Sequence, residues 1–370
     1  MRELDALRGG IDRLDEKILG LLNHRAELTR RIGRLKTDRR QAIYSPDRVR
    51  KVLERLARLN RGPLSQRALQ AVYREIMSDS KSAAKPLRIA YLGPEFTFTH
   101  EAAQKVFGGS VHYVPCTSIS DVFTEVERER CDYGVVPVEN STEGAVTYTL
   151  DMFIPSDLKI YDEIYLKISH HLLSRSASAK SVKNVYSNPQ AFAQCRNWLE
   201  ANLPGVHLHA MTSTAEAAKR FVGYRLRGGF KEGAQSARSK SDACIASLLA
   251  AKEYDLNVLA RSIEDNPNNA TRFIVISRTE AKPTRHDRTS VVFELKDRVG
   301  ALHDILVPFR KARINLTKIE SRPSKKKAWS YYFFVDFEGH RQENRVQKAL
   351  KALEQKCVLF KVLGSYPKAE

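Results

Sequence analysis

Cys131-Asp132-Tyr133-Gly134-Val135-Val136-Pro137-Val138-Glu139-Asn140-Ser141-Thr142-Glu143-Gly144-Ala145-Val146 changes character halfway along. The first half is apolar and β-branched (Val135, Val136, Val138) and reads as a short buried strand over Tyr133–Val138. The second half is a burst of carboxylates, amide and hydroxyls from Glu139 to Glu143, after which Gly144-Ala145-Val146 is expected to begin a helix. In an open α/β sheet, a strand end that passes into a helix N-terminus turns polar side chains and free N–H groups toward a ligand. A plain cap explains the same letters, because Asn, Ser and Thr are ordinary N-cap residues. The flanking chain has to decide between the two.

Upstream, Leu87–Leu92 reads as a strand followed by Gly93-Pro94-Glu95-Phe96-Thr97-Phe98-Thr99-His100, another strand–glycine–polar loop–helix step. One threonine there is readily a cap; both Thr97 and Thr99 offer hydroxyls. Downstream, helix signals at Ser118–Glu129, Ala191–Ala201, Ser213–Arg220 and Ala243–Lys252 alternate with extended stretches at Leu158–Leu173, Val185–Tyr186 and Phe273–Ile276. Such alternation predicts an α/β architecture, and its length predicts two lobes with a site in the crevice between them. Asn266-Pro267-Asn268-Asn269 reads as a turn. Thr271 and Arg272 follow at the start of a strand, where an Arg fork suits a carboxylate.

At 370 residues the chain is expected to hold more than one domain. No apolar run approaches the ~20 residues that span a bilayer, and the charged, periodic start is unlike a signal peptide. Five cysteines without a Cys-x-x-Cys pair argue against a zinc site or disulfide framework and suit a reducing cytoplasm. The net charge of +19 is spread over the whole chain without a nucleic-acid motif. Small anionic substrates are therefore the expected partners, rather than nucleic acid or membrane.

Toward the N-terminus, Leu4, Leu7, Ile11, Leu14, Ile18, Leu21, Leu28, Ile32 and Leu35 form a heptad seam whose skipped position is Arg25. A helix over Glu3–Thr37 would be roughly 50 Å long at 1.5 Å per residue, which predicts dimerisation along it. Helices over Pro46–Asn60 and Ser65–Ser80 follow. A cation on an apolar seam is costly unless an anion neutralises it; snorkelling of Arg25 and Lys36 on a bundle surface is the plainer alternative. At the other end, strand, helix, strand, strand, helix, strand over Thr289–Ser365 gives a ferredoxin-like βαββαβ unit.

Five motifs in the middle of the chain stand in one order: Gly93-Pro94-Glu95-x-Thr97-Phe98-Thr99, Val136-Pro137-Val138-Glu139-Asn140-Ser141-Thr142-Glu143-Gly144, Ser187-x-Pro189-Gln190-Ala191-x-Ala193-Gln194-Cys195, Ser213-Thr214-Ala215-Glu216-Ala217-Ala218 and Asn269-x-Thr271-Arg272-Phe273. Together they resemble the prephenate dehydratases over Leu87 to about Arg278. That resemblance implies two α/β lobes, no metal or organic cofactor, and Thr271 as the key residue. It further implies Arg272 on a substrate carboxylate, with Asn140, Ser141, Thr142, Thr97 and Thr99 among the hydroxyl and amide donors. Glu139 or Glu143, if shielded, would supply the proton. Phe96 stands where the resemblance calls for Gly or Ala and would narrow the mouth of the site. The basic stretch Arg225–Lys240 exceeds the usual spacing and reads as a mobile surface excursion.

Leu7-Arg8-x-x-Ile11-Asp12-x-Leu14-Asp15, Leu21-Leu22-Asn23-His24-Arg25-Ala26-Glu27-Leu28 and Ile32-Gly33-x-Leu35-Lys36 resemble the all-helical chorismate mutases, which are intertwined dimers. Arg8, Arg25, Lys36, Arg48 and Ser80 then correspond to substrate-binding positions for chorismate. Departures at Ser45, Val49 and Ala84 predict weak mutase turnover, or a helical segment that only dimerises. Arg298-Val299-Gly300-Ala301-Leu302 and Ile314-Asn315-Leu316-Thr317-Lys318-Ile319-Glu320-Ser321-Arg322-Pro323 resemble ACT regulatory domains, implying L-phenylalanine bound at Gly300, Ala301, Leu302, Asn315, Glu320, Ser321, Arg322 and Pro323. The expected whole is a multidomain protein: residues 1–85 an all-α mutase-like dimer domain, 86–281 a two-lobed α/β dehydratase, and 288–366 the ferredoxin-like ACT domain. It would be a homodimer or homotetramer of phenylalanine biosynthesis acting on chorismate and prephenate. A non-catalytic sensor of small anions, built from the same two-lobed fold, would release no CO₂ from prephenate.

Overall fold

The heptad pattern of the first residues folds into one helix, α1 (Arg2–Asp38), followed by α2 (Pro46–Leu59) and α3 (Gln66–Ser82). The computed structural model describes residues 2–39, 42, 44–82, 86–221, 225, 226, 229, 230, 241–324 and 329–369. Pro46 opens α2, where a missing N–H costs nothing. The Asn60 side chain builds the next turn, donating to the Leu64 carbonyl at 2.7 Å and accepting from the Gly62 amide. α3 packs on both other helices. The seam of α1, from Leu4 to Leu35, lies exposed in the single chain. Ala84 lies outside the described residues, as do the side chains of Ser80 and Lys81.

The chain forms two compact units, Met1–Ile89 with Gln104–Tyr113, and Ala90–Ala103 with Val114–Glu370. The middle region begins β1 (Arg88–Leu92), α4 (Phe98–Phe107), β2 (His112–Cys116), α5 (Ile119–Glu127), β3 (Tyr133–Asn140), β4 (Gly144–Ala145), α6 (Thr147–Met152) and β5 (Lys159–Lys167). It continues through β6 (His171–Ser174), β7 (Asn184–Ser187), α7 (Pro189–Gln194), α8 (Arg196–Asn202), β8 (His207–Ala210) and α9 (Thr214–Lys219). The paired two-residue strands β9 (Arg225–Leu226) and β10 (Gly229–Phe230) are followed by β11 (Asp242–Ala246), α10 (Leu248–Glu253), β12 (Asn257–Ala260) and β13 (Ala270–Ser277). One sheet has the order β2-β1-β3-β13-β5, the other β12-β6-β11-β7-β8. β13 therefore returns to the first sheet after the chain has built the second, and this gives two lobes. The rest of the basic excursion, 231–240 included, lies outside the described residues.

Two sequence expectations are corrected. The chain does not enter a helix at Gly144: β3 runs on to Asn140, turns through Ser141–Glu143, and folds back as β4, with the helix starting only at Thr147. Gly144 takes φ +82, the left-handed conformation such a turn needs. The helix expected over Ala243–Lys252 is instead a strand and a short helix. Ala243-Cys244-Ile245-Ala246 are fully buried between β6 and β7, and a strand covered on both faces shows no alternation to read.

The last region is the expected βαββαβ unit: β14 (Asp287–Leu295), α11 (Ala301–Lys311), β15 (Leu316–Pro323), β16 (Tyr331–Glu338), α12 (Asn344–Glu354) and β17 (Cys357–Pro367), in sheet order β15-β16-β14-β17. Alternate residues divide its two faces. Val291, Phe293, Val335 and Phe337 meet Ile305, Phe309, Val346 and Leu353 of the helices. Phe334 and Leu363 line, with Val138, Ile160 and Ile274 of the first lobe, a small cavity where the other face lies against that lobe. Contact is close enough that a Cβ on Gly364 would sit 2.2 Å from the Ile160 carbonyl oxygen, so only glycine fits.

Candidate active site

Side-chain alternation along β3 and β13 separates two sets of residues that are adjacent in sequence. Thr271 pairs with Asn140 across the two strands, and Arg272 pairs with Glu139. Each pair therefore shares a face, and the two faces are opposite.

On the first face, Asn140 Nδ2 donates to Thr271 Oγ1 at 2.8 Å and to Asn269 Oδ1 at 2.9 Å. Its Oδ1 accepts from the Thr142 amide, the Thr142 hydroxyl and the Glu143 amide. Ser141 Oγ donates to the Asn268 carbonyl and accepts from the Ala270 amide, stitching the turn to β13. The hydroxyls of Ser141 and Thr142 are thus spent on shaping the turn. Thr271 differs, because its oxygen accepts from Asn140 while nothing among the described residues accepts its proton. That proton is left to point at a ligand.

The second lobe reaches this turn through Gln194, at the end of α7. Gln194 Nε2 donates to Glu143 at 3.0 Å, while its Oε1 accepts from Asn269 Nδ2 at 3.0 Å and lies 2.8 Å from His170 Nε2. The His170 amide in turn donates to Glu264. Gln194, Asn269, His170 and Glu264 were not singled out from sequence. Asn266 does cap the expected turn through the Asn268 amide, but Asn269 is buried and bridges both lobes. Only the motif around Pro189-Gln190 hinted at Gln194.

Thr97 proves to be a cap: its hydroxyl donates within the loop to Leu92 and Pro94 carbonyls and accepts from the His100 amide. Thr99 is buried in the first turn of α4. Neither is hydrogen-bonded to Thr271 among the described residues; their loop meets the site through Phe98, edge-on to His170 with centroids 5.6 Å apart. Phe96 belongs to the same loop. It takes φ +64 and packs edge-on against Tyr254 of the second lobe, its amide donating to His100 Nδ1. A left-handed φ is where glycine is ordinarily expected.

Burial pushes the His100 imidazole down to about 4. It lowers His170 and His171 as well, against the opposing hydrogen bond from Gln194 on His170 and the nearby Glu264 carboxylate on His171. These rings stay neutral while unfolded imidazoles, near 6.5, take up protons. Their folded values are depressed, so the stability they contribute is complete above pH 6.5 and is lost as pH falls below it, for His100 toward about 4. Melting temperature should drop over that window, and His100→Gln should flatten the slope in a pH series of thermal denaturation.

The opposite face carries the corrections to Arg272 and Glu139. Arg272 is 4 % exposed and its fork is fully engaged: Nε donates to Glu163 at 2.8 Å, Nη1 to Asp336 at 2.6 Å, and Nη2 to the Tyr366 hydroxyl at 2.8 Å. All three guanidinium nitrogens are thus committed on the buried face turned from the cleft, which takes Arg272 off a substrate carboxylate there. Glu139 lies 3.6 Å from Arg272 and 3.2 Å from Lys318, so it points away from the cleft and is no proton donor there. Glu143, the other carboxyl considered, is exposed rather than shielded. Arg288 also donates to Glu163, at 2.5 Å. Burial alone would raise Asp336, but the Arg272 charge, hydrogen bonds from Ser290 and Arg272, and Arg288 hold it below the usual carboxylate range. Removing one member of such a buried set strands the others, at a cost of about 3–5 kcal/mol.

In the helical segment Arg25 Nη1 donates to the Ile76 carbonyl and Lys36 Nζ to the Ala42 carbonyl. Arg8 is exposed, 3.8 Å from Asp5, and Arg48 is exposed on α2. At the far end, Gly300 takes φ +77 ahead of α11, with open space where a Cβ would point. Tyr332 pairs with Glu294 on one side and Arg322 on the other, so the Gly300 turn and Glu320–Pro323 stand at the same end of the sheet. Leu302 and Ser321 are exposed there, while Asn315 uses its carbonyl to accept the Glu338 amide. Arg322, expected on the effector, is paired with Asp151 of the first lobe at 3.1 Å.

Comparison with known proteins adds the family. Residues 7–85 match the chorismate mutase type II model, 89–281 the prephenate dehydratase model and 289–355 the ACT domain model. A bifunctional chorismate mutase/prephenate dehydratase of Aquifex aeolicus is 52% identical, over 100% of this chain and 99% of its own. One of Pseudomonas aeruginosa is 43% identical, over 99% and 98%. A prephenate dehydratase from Arthrobacter aurescens, solved in complex with L-Phe, superposes with a TM-score of 0.68 at 35% identity, over 76% of this chain and 90% of that one.

Proposed function

The chain belongs to the prephenate dehydratases, in the arrangement with a chorismate mutase domain before the dehydratase and an ACT domain after it, and on that footing we propose a division of labour along it. Residues 1–85 convert chorismate to prephenate, 86–281 convert prephenate to phenylpyruvate, and 288–366 bind L-phenylalanine as effector. The observation that carries the dehydratase assignment is the Thr271 hydroxyl, which accepts from Asn140 and whose proton has no acceptor among the described residues.

Prephenate loses its ring carboxylate as CO₂ and its ring hydroxyl, with one proton, as water. The electrons of the broken C–C bond complete the aromatic ring. Thr271 donates a hydrogen bond to the departing hydroxyl, where charge develops, and this lowers the barrier more than it strengthens substrate binding. A threonine hydroxyl is too weak an acid to surrender its proton outright, so Thr271 orients and stabilises. The Asn140–Asn269–Gln194 bridge keeps the two lobes in register around it.

In the helical segment, Arg25 and Lys36 stand about 16 Å apart along α1 at 1.5 Å per residue, a span that two long side chains close onto one small dianion. Arg8 lies about 25 Å beyond Arg25 by the same measure, too far to share that site within one chain. A second copy, its α1 against the exposed seam, would bring another Arg8 to it. Each seam residue left in water forgoes about 1.5–3 kcal/mol of burial, which favours that dimer. Leu14→Asp should shift the protein toward monomer in sedimentation and depress mutase rate, leaving dehydratase rate on added prephenate near wild type. Full-length relatives named as bifunctional argue against a helical segment that only dimerises. The free cysteines suit the cytoplasm.

Chorismate and prephenate, supplied separately while phenylpyruvate is followed, test the assignment. Both should yield it. Failure with prephenate refutes the dehydratase reading, and failure with chorismate alone refutes the mutase reading.

A further inference from the structure

The ionic cluster behind Thr271 has no part in the chemistry just described, yet it is built from two domains. Arg272, Glu139 and Glu163 belong to the first lobe; Asp336, Tyr366, Arg288 and Lys318 belong to the ACT sheet. Three cations (Arg272, Arg288, Lys318) face three carboxylates (Glu139, Glu163, Asp336), and neither domain alone balances the set.

The strands connect this cluster to the cleft by one residue. β13 alternates Thr271 toward the cleft and Arg272 toward the ACT sheet, while β3 alternates Asn140 and Glu139 in the same way. The pairing of the two strands slips immediately after Arg272, where a bulge interrupts the ladder. Such an irregularity disrupts the β3–β13 ladder locally, while β13 stays paired with β5 in unbroken register from Ala270 to Val275. On the β3 side, the short terminal piece carrying Thr271 and Asn140 is held in addition by the cluster that grips its far face. Lys318 lies on β15, two residues before the Glu320–Pro323 segment, and Arg322 on the same strand is paired with Asp151 just beyond the β3–β4 hairpin.

We propose that Lys318 and Asp336 of the ACT domain are positioning residues for the dehydratase, acting through Glu139 and Arg272 to set the placement of Asn140 and Thr271. They touch no substrate. Effector binding on β15 would act on the site by moving Lys318, and only a misplacement of about 1 Å is required, since that can cost a hundredfold in rate. The proposal rests on the reading of Thr271 as the donor to the departing hydroxyl.

The test uses the full chain and a cycle of Lys318→Gln, Glu139→Gln and the double variant, with Lys318→Arg as rescue, Asp336→Asn alongside and Thr271→Val as reference. Lys318→Gln and Glu139→Gln should each lower the dehydratase kcat about tenfold with KM near wild type. The double variant should fall no further, and Lys318→Arg should recover most of the rate. Sensitivity to L-phenylalanine should weaken in the same variants, while chorismate turnover in the same samples stays unchanged and reports folded protein. Glu139 is 35 % exposed, so Glu139→Gln reads the effect even if Asp336→Asn, or Lys318→Gln with its buried ammonium lost, fails to fold. Wild-type kcat in both single variants, additive losses, or a fall in melting temperature without a fall in kcat overturns the proposal. If Thr271→Val is fully active, the underlying reading of the site fails instead.

Discussion

Thr271→Val should lower the dehydratase kcat by about 10²–10³-fold, the usual cost of removing one donor aimed at a developing negative charge. Valine matches threonine in shape, and at 8 % exposure the methyl remains packed, so the fold should hold. Asn140 Nδ2 loses one acceptor but retains Asn269 Oδ1. KM should change little, because a neutral hydroxyl accepts a hydrogen bond weakly and a departing hydroxide accepts it strongly. Thr271→Ser should restore much of the rate. Initial rates of phenylpyruvate formation from prephenate, with chorismate consumption as an internal control, decide the matter. A valine variant within a few-fold of wild type would remove Thr271 from the chemistry.

The behaviour of Arg272 shows what a sequence can and cannot convey about such a site. Strand and helix periodicities conveyed the fold class, and the six elements of the last domain appear in the order read from the chain. Periodicity also puts Thr271 and Arg272 on opposite faces of one strand. What it does not supply is which face meets the cleft and which meets another domain some 64 residues later, at Asp336. An arginine beside a key threonine invites a substrate role; three-dimensional contact spends that guanidinium on Glu163, Asp336 and Tyr366. The same limit hid Gln194 and Asn269, whose function is to join two lobes. It also hid β11, whose fully buried Ala243–Ala246 carries no alternation. The Glu139–Gly144 stretch sits between these cases: its polar burst does mark the site, but as a hairpin turn whose side chains mainly hold one another.

Lys36→Met should reduce chorismate turnover by about 10²–10³-fold and leave the rate on added prephenate unchanged. The rearrangement is unimolecular, so the protein's contribution is to hold a compact conformer and to stabilise charge on the breaking C–O bond. Methionine keeps an apolar stem of similar length at this position of α1 and deletes only the ammonium. In the chain as folded, Lys36 Nζ donates to the Ala42 carbonyl at 3.1 Å. An anion meeting Lys36 and Arg25 together gains two charge-assisted hydrogen bonds, of which Lys36→Met removes one. The loss should appear in kcat as well as KM, because the ether oxygen carries more charge in the transition state than in chorismate. Loss confined to KM would mean that Lys36 only gathers substrate. Unchanged mutase rate would place the chemistry elsewhere on the helical domain.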